Sequence, residues 1–323
     1  MGGLAAGPPS PPTLGASRQS QGAPREYSDR LPGAAARLPG EAARPTERRA
    51  RYGCSWLLPT VGVTVGLAVL YGPALRDLVV LWARVPYYSY GVLVPLWSAW
   101  LAASERSRVA AVPVRRDGTG LILIMAGLAA LAFASLHESL TLAVLSLPVV
   151  LTGLGRFALG RAAFRPLAFP VAFLALMAPL PPSVIPALSL HLQHLAAWFT
   201  EGVLRALAIP FARDGIFISL HSATVHVSEA CNGLRFLLAM AVLGVAFGWT
   251  TGRGSACRLV VLSLALGAAI MANLIRVSGT TVLVHFWGPA ASLGLFHHLF
   301  GKTIYLLTLA AVFLVVLRLR ARA

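Results

Sequence analysis

From residue 56 onward the chain is a succession of apolar runs, too long and too poor in charge to stay in water. The stretch "LILIMAGLAALAFASL" (121–136) is representative. In a bilayer such a run must satisfy its own backbone hydrogen bonds, which restricts it to a helix. Eight runs predict spans at 56–75, 88–104, 119–136, 139–155, 167–181, 233–250, 259–280 and 303–319. Several are shorter than the roughly 20 residues a bilayer core requires, so their ends are soft by a few residues. The fold expected is therefore an all-α polytopic membrane protein with about eight transmembrane helices. Composition agrees: 57% of the 323 residues are hydrophobic and only 12% are charged.

The charge that remains orders the spans. Net charge is +16, and Lys302 is the only lysine. In a soluble protein this surplus would point to nucleic acid; here it reads as positive-inside topology, and no nucleic-acid partner is expected. With the N-terminus inside, the tail, the loops near 105–117, 156–166 and 251–258, and the C-terminus hold 20 of the 27 basic residues. The inverted arrangement would put those 20 outside. Both termini are thus expected in the cytoplasm. Residues 1–53, with eight prolines and eight glycines and no apolar periodicity, are expected to be a disordered cytoplasmic tail ahead of a membrane domain at 54–323. No apolar run near Met1 suggests a cleaved signal. No repeat of fixed period is present.

One long interruption, 182–232, falls outside by this count. It opens on "PLPPSVIP", whose prolines end the fifth span. Residues 186–208 then read as an amphipathic helix containing His191, Gln193, His194, Glu201 and Arg205. Its Glu201 and Arg205 form a helix-supporting i, i+4 pair. Such a helix lies on the bilayer surface or docks a substrate. After Gly215, "IFISLHSATVHV" alternates like a two-strand lip.

The lip leads into "VSEACNGLRFLLAM" (227–240), where a thiol and two charges meet the start of a span. With Ser228 as cap, Cys231 falls in the first helical turn, where unpaired amides and the helix dipole favour a thiolate. Arg235, four residues on, is then expected on the same face, about 6 Å deeper. The competing reading is a structural cysteine packed as a small hydrophobe. Further along, "MANLIRVSGT" sets Asn273 and Arg276 at i, i+3 near the same surface, and an intramembrane arginine is a functional candidate by default. A structural pair between Arg276 and Glu229 is the alternative. "LGLFHHLFGK" then brings His297 and His298 to that side. Cys54 and Cys257 fall at cytoplasmic ends, so neither can form a disulfide with Cys231.

These runs resemble the exosortase/archaeosortase family of membrane-embedded cysteine transpeptidases. The family marks are an E-A-C-S-G-L-R run, an N-x-x-R run late in a following helix and an H-x-x-x-G run before the last helix. Here they stand as "EACNGLR" (229–235), "NLIR" (273–276) and "HHLFG" (297–301). "FPVAFLALMAPLPP" (169–182) is similar to the family's apolar stretch ending in paired prolines. The likeness covers roughly 56–320. It implies Cys231 as nucleophile, His297 as proton-transfer partner and Arg276 as oxyanion or carbonyl stabiliser, with Glu229, Arg235 and Asn273 in support. It also implies neither cofactor nor metal, and places the protein in a prokaryotic inner membrane with its site extracytoplasmic. Substrates would be exported proteins ending in a short recognition motif, a transmembrane helix and a basic tail, drawn from the lipid. Asn232 departs from the commoner serine, and His298 leaves the histidine assignment open, although the spacing to Gly301 selects His297.

Two other classes compete. Arg235 and Arg276 could serve an anion transporter, which should place polar groups at the bilayer midplane on broken spans. Cys231, His285, His297 and His298 could hold a metal, but adjacent histidines ligate one ion poorly and no H-x-x-x-H spacing is present.

Overall fold

A computed structural model of the protein describes residues 57–292 and 294–321, with side chains described from residue 61 except at 230 and 291–298. The tail and Cys54 lie outside the described residues. All but the first two of the described residues belong to one unit, Pro59–Ala323. It is built of helices with one small sheet, in the order α1 (Leu57–Arg84), α2 (Leu93–Ser104), α3 (Arg106–Ala110), α4 (Thr119–Leu136), α5 (Leu140–Leu159), α6 (Arg161–Phe164), α7 (Ala168–Phe173) and α8 (Val184–Ala206). Strands β1 (Phe211–Asp214), β2 (Phe217–Leu220) and β3 (Thr224–His226) follow. Helices α9 (Leu234–Thr250), α10 (Ser255–Trp287) and α11 (Gly294–Ala321) complete it.

Among the described residues five helices are long and apolar enough to cross a membrane: α1, α4, α5, α10 and α11. They carry their apolar side chains outward as well as inward. Leu136 is 81% exposed, and Val69, Ile122, Leu306 and Leu307 are also exposed. Apolar surface on this scale is what a lipid-facing bundle presents. Inside it, small residues let helices approach: a Cβ on Gly127 of α4 would meet Val150 of α5 at 2.5 Å. The hairpin is further clasped where Arg156 donates to Asp117 at 2.9 Å.

Three expected spans differ from a single long helix. Residues 234–250 form a helix of 17 residues, shorter than the other apolar helices. The 88–104 run is divided between a 3₁₀ segment, Pro86–Val92, and α2. The 167–181 run breaks into a 3₁₀ turn, the six-residue α7 and a second 3₁₀ turn, Leu174–Met177. Pro166 and Pro170 remove backbone donors at its start, and prolines at 179, 181 and 182 stop it. Backbone groups freed where a helix breaks need other partners. Ser98 of α2 is one, donating to the Pro170 carbonyl at 2.7 Å, and Phe173 and Met177 pack into a core with Leu78, Val94 and Val242.

The sheet corrects the expected two-strand lip. It has three antiparallel strands in the order β1-β2-β3, because Phe211–Asp214 also pairs, ahead of Gly215. Gly215, φ +59°, occupies the first central position of the two-residue loop joining β1 to β2, which calls for a positive φ. Ile218, Leu220 and Val227 face inward and pack on Ala196, Ala197 and Leu204 of α8 and on Leu274, Val277 and Val284 of α10. The expected helix at 186–208 is present as α8, with Glu201 paired to Arg205 at 2.5 Å and also to Arg213 of β1. Its polarity is partly reversed: Ser189, Gln193 and Thr200 are buried, while Leu190 and Trp198 are exposed.

Candidate active site

The segment 227–235 is shaped by two residues that a continuous helix would not tolerate. Ser228 has extended backbone and is followed by a single 3₁₀ turn, Glu229–Cys231, and its side chain makes no cap hydrogen bond. Gly233 then takes a left-handed conformation, φ +75°, and α9 begins only at Leu234. Cys231 therefore precedes the α-helix instead of occupying its first turn. The expected one-face alignment of Cys231 and Arg235 fails for the same reason, since i, i+4 geometry requires unbroken helix between them. Arg235 is exposed.

The cation beside the thiol is Arg276. From α10 its Nη2 lies 4.0 Å from Cys231 Sγ, and its Nη1 donates to the Tyr305 hydroxyl of α11 at 2.9 Å. Tyr305 in turn donates to Asn273 Oδ1 at 3.2 Å, and Asn273 Nδ2 donates to the Cys231 carbonyl at 3.2 Å. Asn273 and Arg276 thus share a face as their i, i+3 spacing predicts. The ring joins α10, α11 and the Cys231 turn into one closed circuit. Phe236 of α9 stacks on Tyr305 with centroids 4.1 Å apart, fixing the phenol.

The Cys231 turn is held from the other side by α8. Asn232, 2% exposed, donates to Ser189 Oγ at 2.5 Å, and Gln193 donates to the same oxygen at 2.9 Å. Asn232 Oδ1 also accepts from the Leu234 amide at 2.9 Å, an Asx-type turn that feeds the chain into α9. The serine usual in the family pattern is thus replaced by a longer side chain that reaches the buried hydroxyl. Tyr87, in the 3₁₀ segment before α2, reaches the Glu229 carbonyl at 3.5 Å.

Two glycines are needed for closeness. A Cβ on Gly233 would meet Asn273 Cγ at 2.4 Å, and one on Gly301 would meet Arg276 Nε at 2.9 Å. Gly233→Ala therefore combines left-handed strain, about 1–2 kcal/mol, with a clash, whereas Gly252→Ala carries only the strain, because nothing lies within 4 Å of it. Thermal unfolding in detergent is expected to show a clearly larger loss for Gly233→Ala. Equal losses would mean that Asn273 yields without cost.

The side chains of His297 and His298 lie outside the described ones. Their backbone positions close the first turn of α11 and open the second, four and three residues ahead of Gly301. At about 100° per residue both fall on the helix face that carries Gly301 and Tyr305, so helix geometry does not choose between them. His285, offered as a metal ligand, is on α10, and no metal-type cluster is present among the described residues. Cys231 and Arg276 open onto a cavity of about 220 Å³, walled by residues 223–228 and by Val277, Thr280 and Val284 of α10.

Of the residues proposed from sequence, the structure brings together Cys231, Asn273 and Arg276, and it adds Tyr305, Ser189 and Tyr87 as neighbours that sequence reasoning did not name. Sequence reasoning also gave Arg235 a position that belongs to Arg276. Comparison with known proteins supplies one match: the model of a family described as transmembrane exosortase covers residues 82–314, more than two thirds of the chain. No curated protein and no solved structure matches.

Proposed function

The chain belongs to the transmembrane exosortase family, and we propose that it is a cysteine transpeptidase or protease acting on the C-terminal sorting signals of exported proteins. The observation that carries this is the approach of Arg276 Nη2 to Cys231 Sγ at the wall of a cavity, with each side chain held from a different element. The sulfur attacks the scissile carbonyl, and Arg276 donates to the oxygen as it becomes negative. His297 is assigned the proton transfers: it takes the thiol proton and returns it to the departing amine. The acyl group stays on sulfur as a thioester until an acceptor amine or water attacks and releases Cys231. The residues invoked require neither metal nor cofactor.

The remaining expectations belong to this proposal. The broken 88–104 and 167–181 segments and the short α9 cross the bilayer with the five long helices, giving eight crossings and both termini in the cytoplasm of a prokaryotic cell. The substrate's membrane helix enters from the lipid, with its basic tail inside. In a background lacking Cys54, Cys231 and Cys257, a cysteine at Ser222 is expected to react with a membrane-impermeant thiol reagent in intact cells, and one at Ser107 is not. The reverse labelling pattern would overturn the topology.

Chemistry is tested with a tagged exported protein ending in a transmembrane helix and basic tail. With Cys54 and Cys257 replaced by serine, alkylation by iodoacetamide is expected to abolish its processing. The untreated enzyme is expected to accumulate a hydroxylamine-sensitive substrate adduct on Cys231. Full activity after complete alkylation of Cys231 would remove the nucleophile assignment.

A further inference from the structure

The cavity is walled by every residue from Ala223 to Ser228, inward-facing and outward-facing alike. Side chains on a strand alternate between faces, so an unbroken run of lining residues means that the edge of β3 borders the cavity. The ladder shows which groups that edge offers. Leu220 donates to Ala223 and Val227 donates to Ile216, so 223, 225 and 227 turn their backbone groups toward β2. By the alternation of antiparallel pairs, Thr224 and His226 turn theirs the other way. Among the described residues, both backbone groups of Thr224 and the N–H of His226 make no backbone bond, and the His226 carbonyl accepts from Ser228.

The two edges of the sheet differ. β1 is blunted in the manner of protected edges: it carries Arg213 and Asp214, and Arg213 is tied to Glu201 and to the Gly215 carbonyl. β3 reads Thr-Val-His, with no charge or proline on it. It lines the same cavity as Cys231 and Arg276. At about 220 Å³ the space is smaller than the roughly 300 Å³ at which drug-sized pockets begin. So small a space suits a narrow, extended chain better than a helix about 10 Å across.

We propose that the polypeptide substrate binds by strand addition: the segment flanking the scissile bond unwinds to an extended form and pairs with the outer edge of β3 as a fourth strand. This rests on the transpeptidase reading and deepens it. Main-chain pairing would hold the substrate backbone in register, present one carbonyl to the Cys231 sulfur and the Arg276 donors, and make few demands on side chains. An extended backbone is also what a nucleophile needs, since a helical carbonyl is already engaged within its own turn.

Thr224→Pro removes the outward N–H and leaves the ladder to β2 intact, whereas Thr224→Ala keeps that N–H and loses only the side chain. With the tagged substrate above and the full-length enzyme in membranes, Thr224→Pro is expected to process about tenfold or more slowly than Thr224→Ala, which retains the N–H. Alkylation of Cys231 by iodoacetamide should proceed at the parental rate in both, showing an intact site. Equal activity of the two variants would overturn strand addition while leaving the nucleophile assignment untouched, because that assignment stands or falls with Cys231→Ala. Should Thr224→Pro fail to fold, a photoreactive benzoylphenylalanine at position 224 in a Cys231→Ala background decides. It is expected to capture unprocessed substrate, and the same group at Ala212 on β1 is not; capture at neither position, or equally at both, would overturn the proposal.

Discussion

Cys231→Ala is expected to reduce substrate processing by a factor on the order of 10⁴ or more, the scale of loss when a covalent nucleophile is removed. The side chain is only half-buried at the cavity wall. Its replacement by a methyl group removes one contact with Arg276 and little packing, so the protein should reach the membrane at the parental level. Cys231→Ser keeps the shape and is expected to be nearly as inactive. A hydroxyl holds its proton far more tightly than a thiol, and a single histidine is poorly equipped to remove it. Processing is read by the shift of the tagged substrate on a gel, with enzyme level measured in the same membranes. Parental processing by Cys231→Ala would end the enzyme reading for this site and return the anion-binding role of Arg276 to first place.

The long helices were legible because a bilayer leaves the sequence few choices. Residues 119–136 were read to the residue, and α5, α10 and α11 within a few turns. The 167–181 run was misread as one helix because its mean hydropathy outweighed its prolines, although Pro166 and Pro170 were in plain view. The Cys231–Arg235 alignment failed on a signal that was also available. "CNGL" contains an Asn-Gly pair, a turn signal, and it sits where the helix was assumed to be continuous. The Asx turn of Asn232 and the positive φ of Gly233 are the physical form of that signal. Ser189, Tyr305 and Tyr87 could not be found this way. Ser189 lies 43 residues from Asn232, and Tyr305 lies 29 residues from Arg276. Spacing within one element says nothing about which hydroxyl another element will deliver. The burial of Ser189 and Gln193 on α8 is visible only in the structure, and the amphipathic reading had counted Gln193 with the polar residues of that helix.

Arg276 separates a general positive field from directed hydrogen bonding. Its guanidinium serves two partners at once: Nη1 donates to Tyr305, and Nη2 lies against Cys231 Sγ. A lysine ammonium is a single point of charge on a flexible stem and cannot hold both positions with fixed geometry. Arg276→Ala is expected to lose about 10²–10³ in rate, the cost of an oxyanion donor. Arg276→Lys is expected to recover only a small part of it. Tyr305→Phe tests the support of the guanidinium, because it deletes the hydroxyl between Arg276 and Asn273 and keeps the ring that stacks on Phe236. Its loss should be milder, on the order of tenfold, matching one positioning hydrogen bond. Rates are compared at equal enzyme level, together with the iodoacetamide reactivity of Cys231. If Arg276 acts on the developing oxyanion, Arg276→Lys should process substrate slowly while its thiol still alkylates readily. If the positive charge alone matters, Arg276→Lys will run close to the parent, and directed donation by the planar group is excluded.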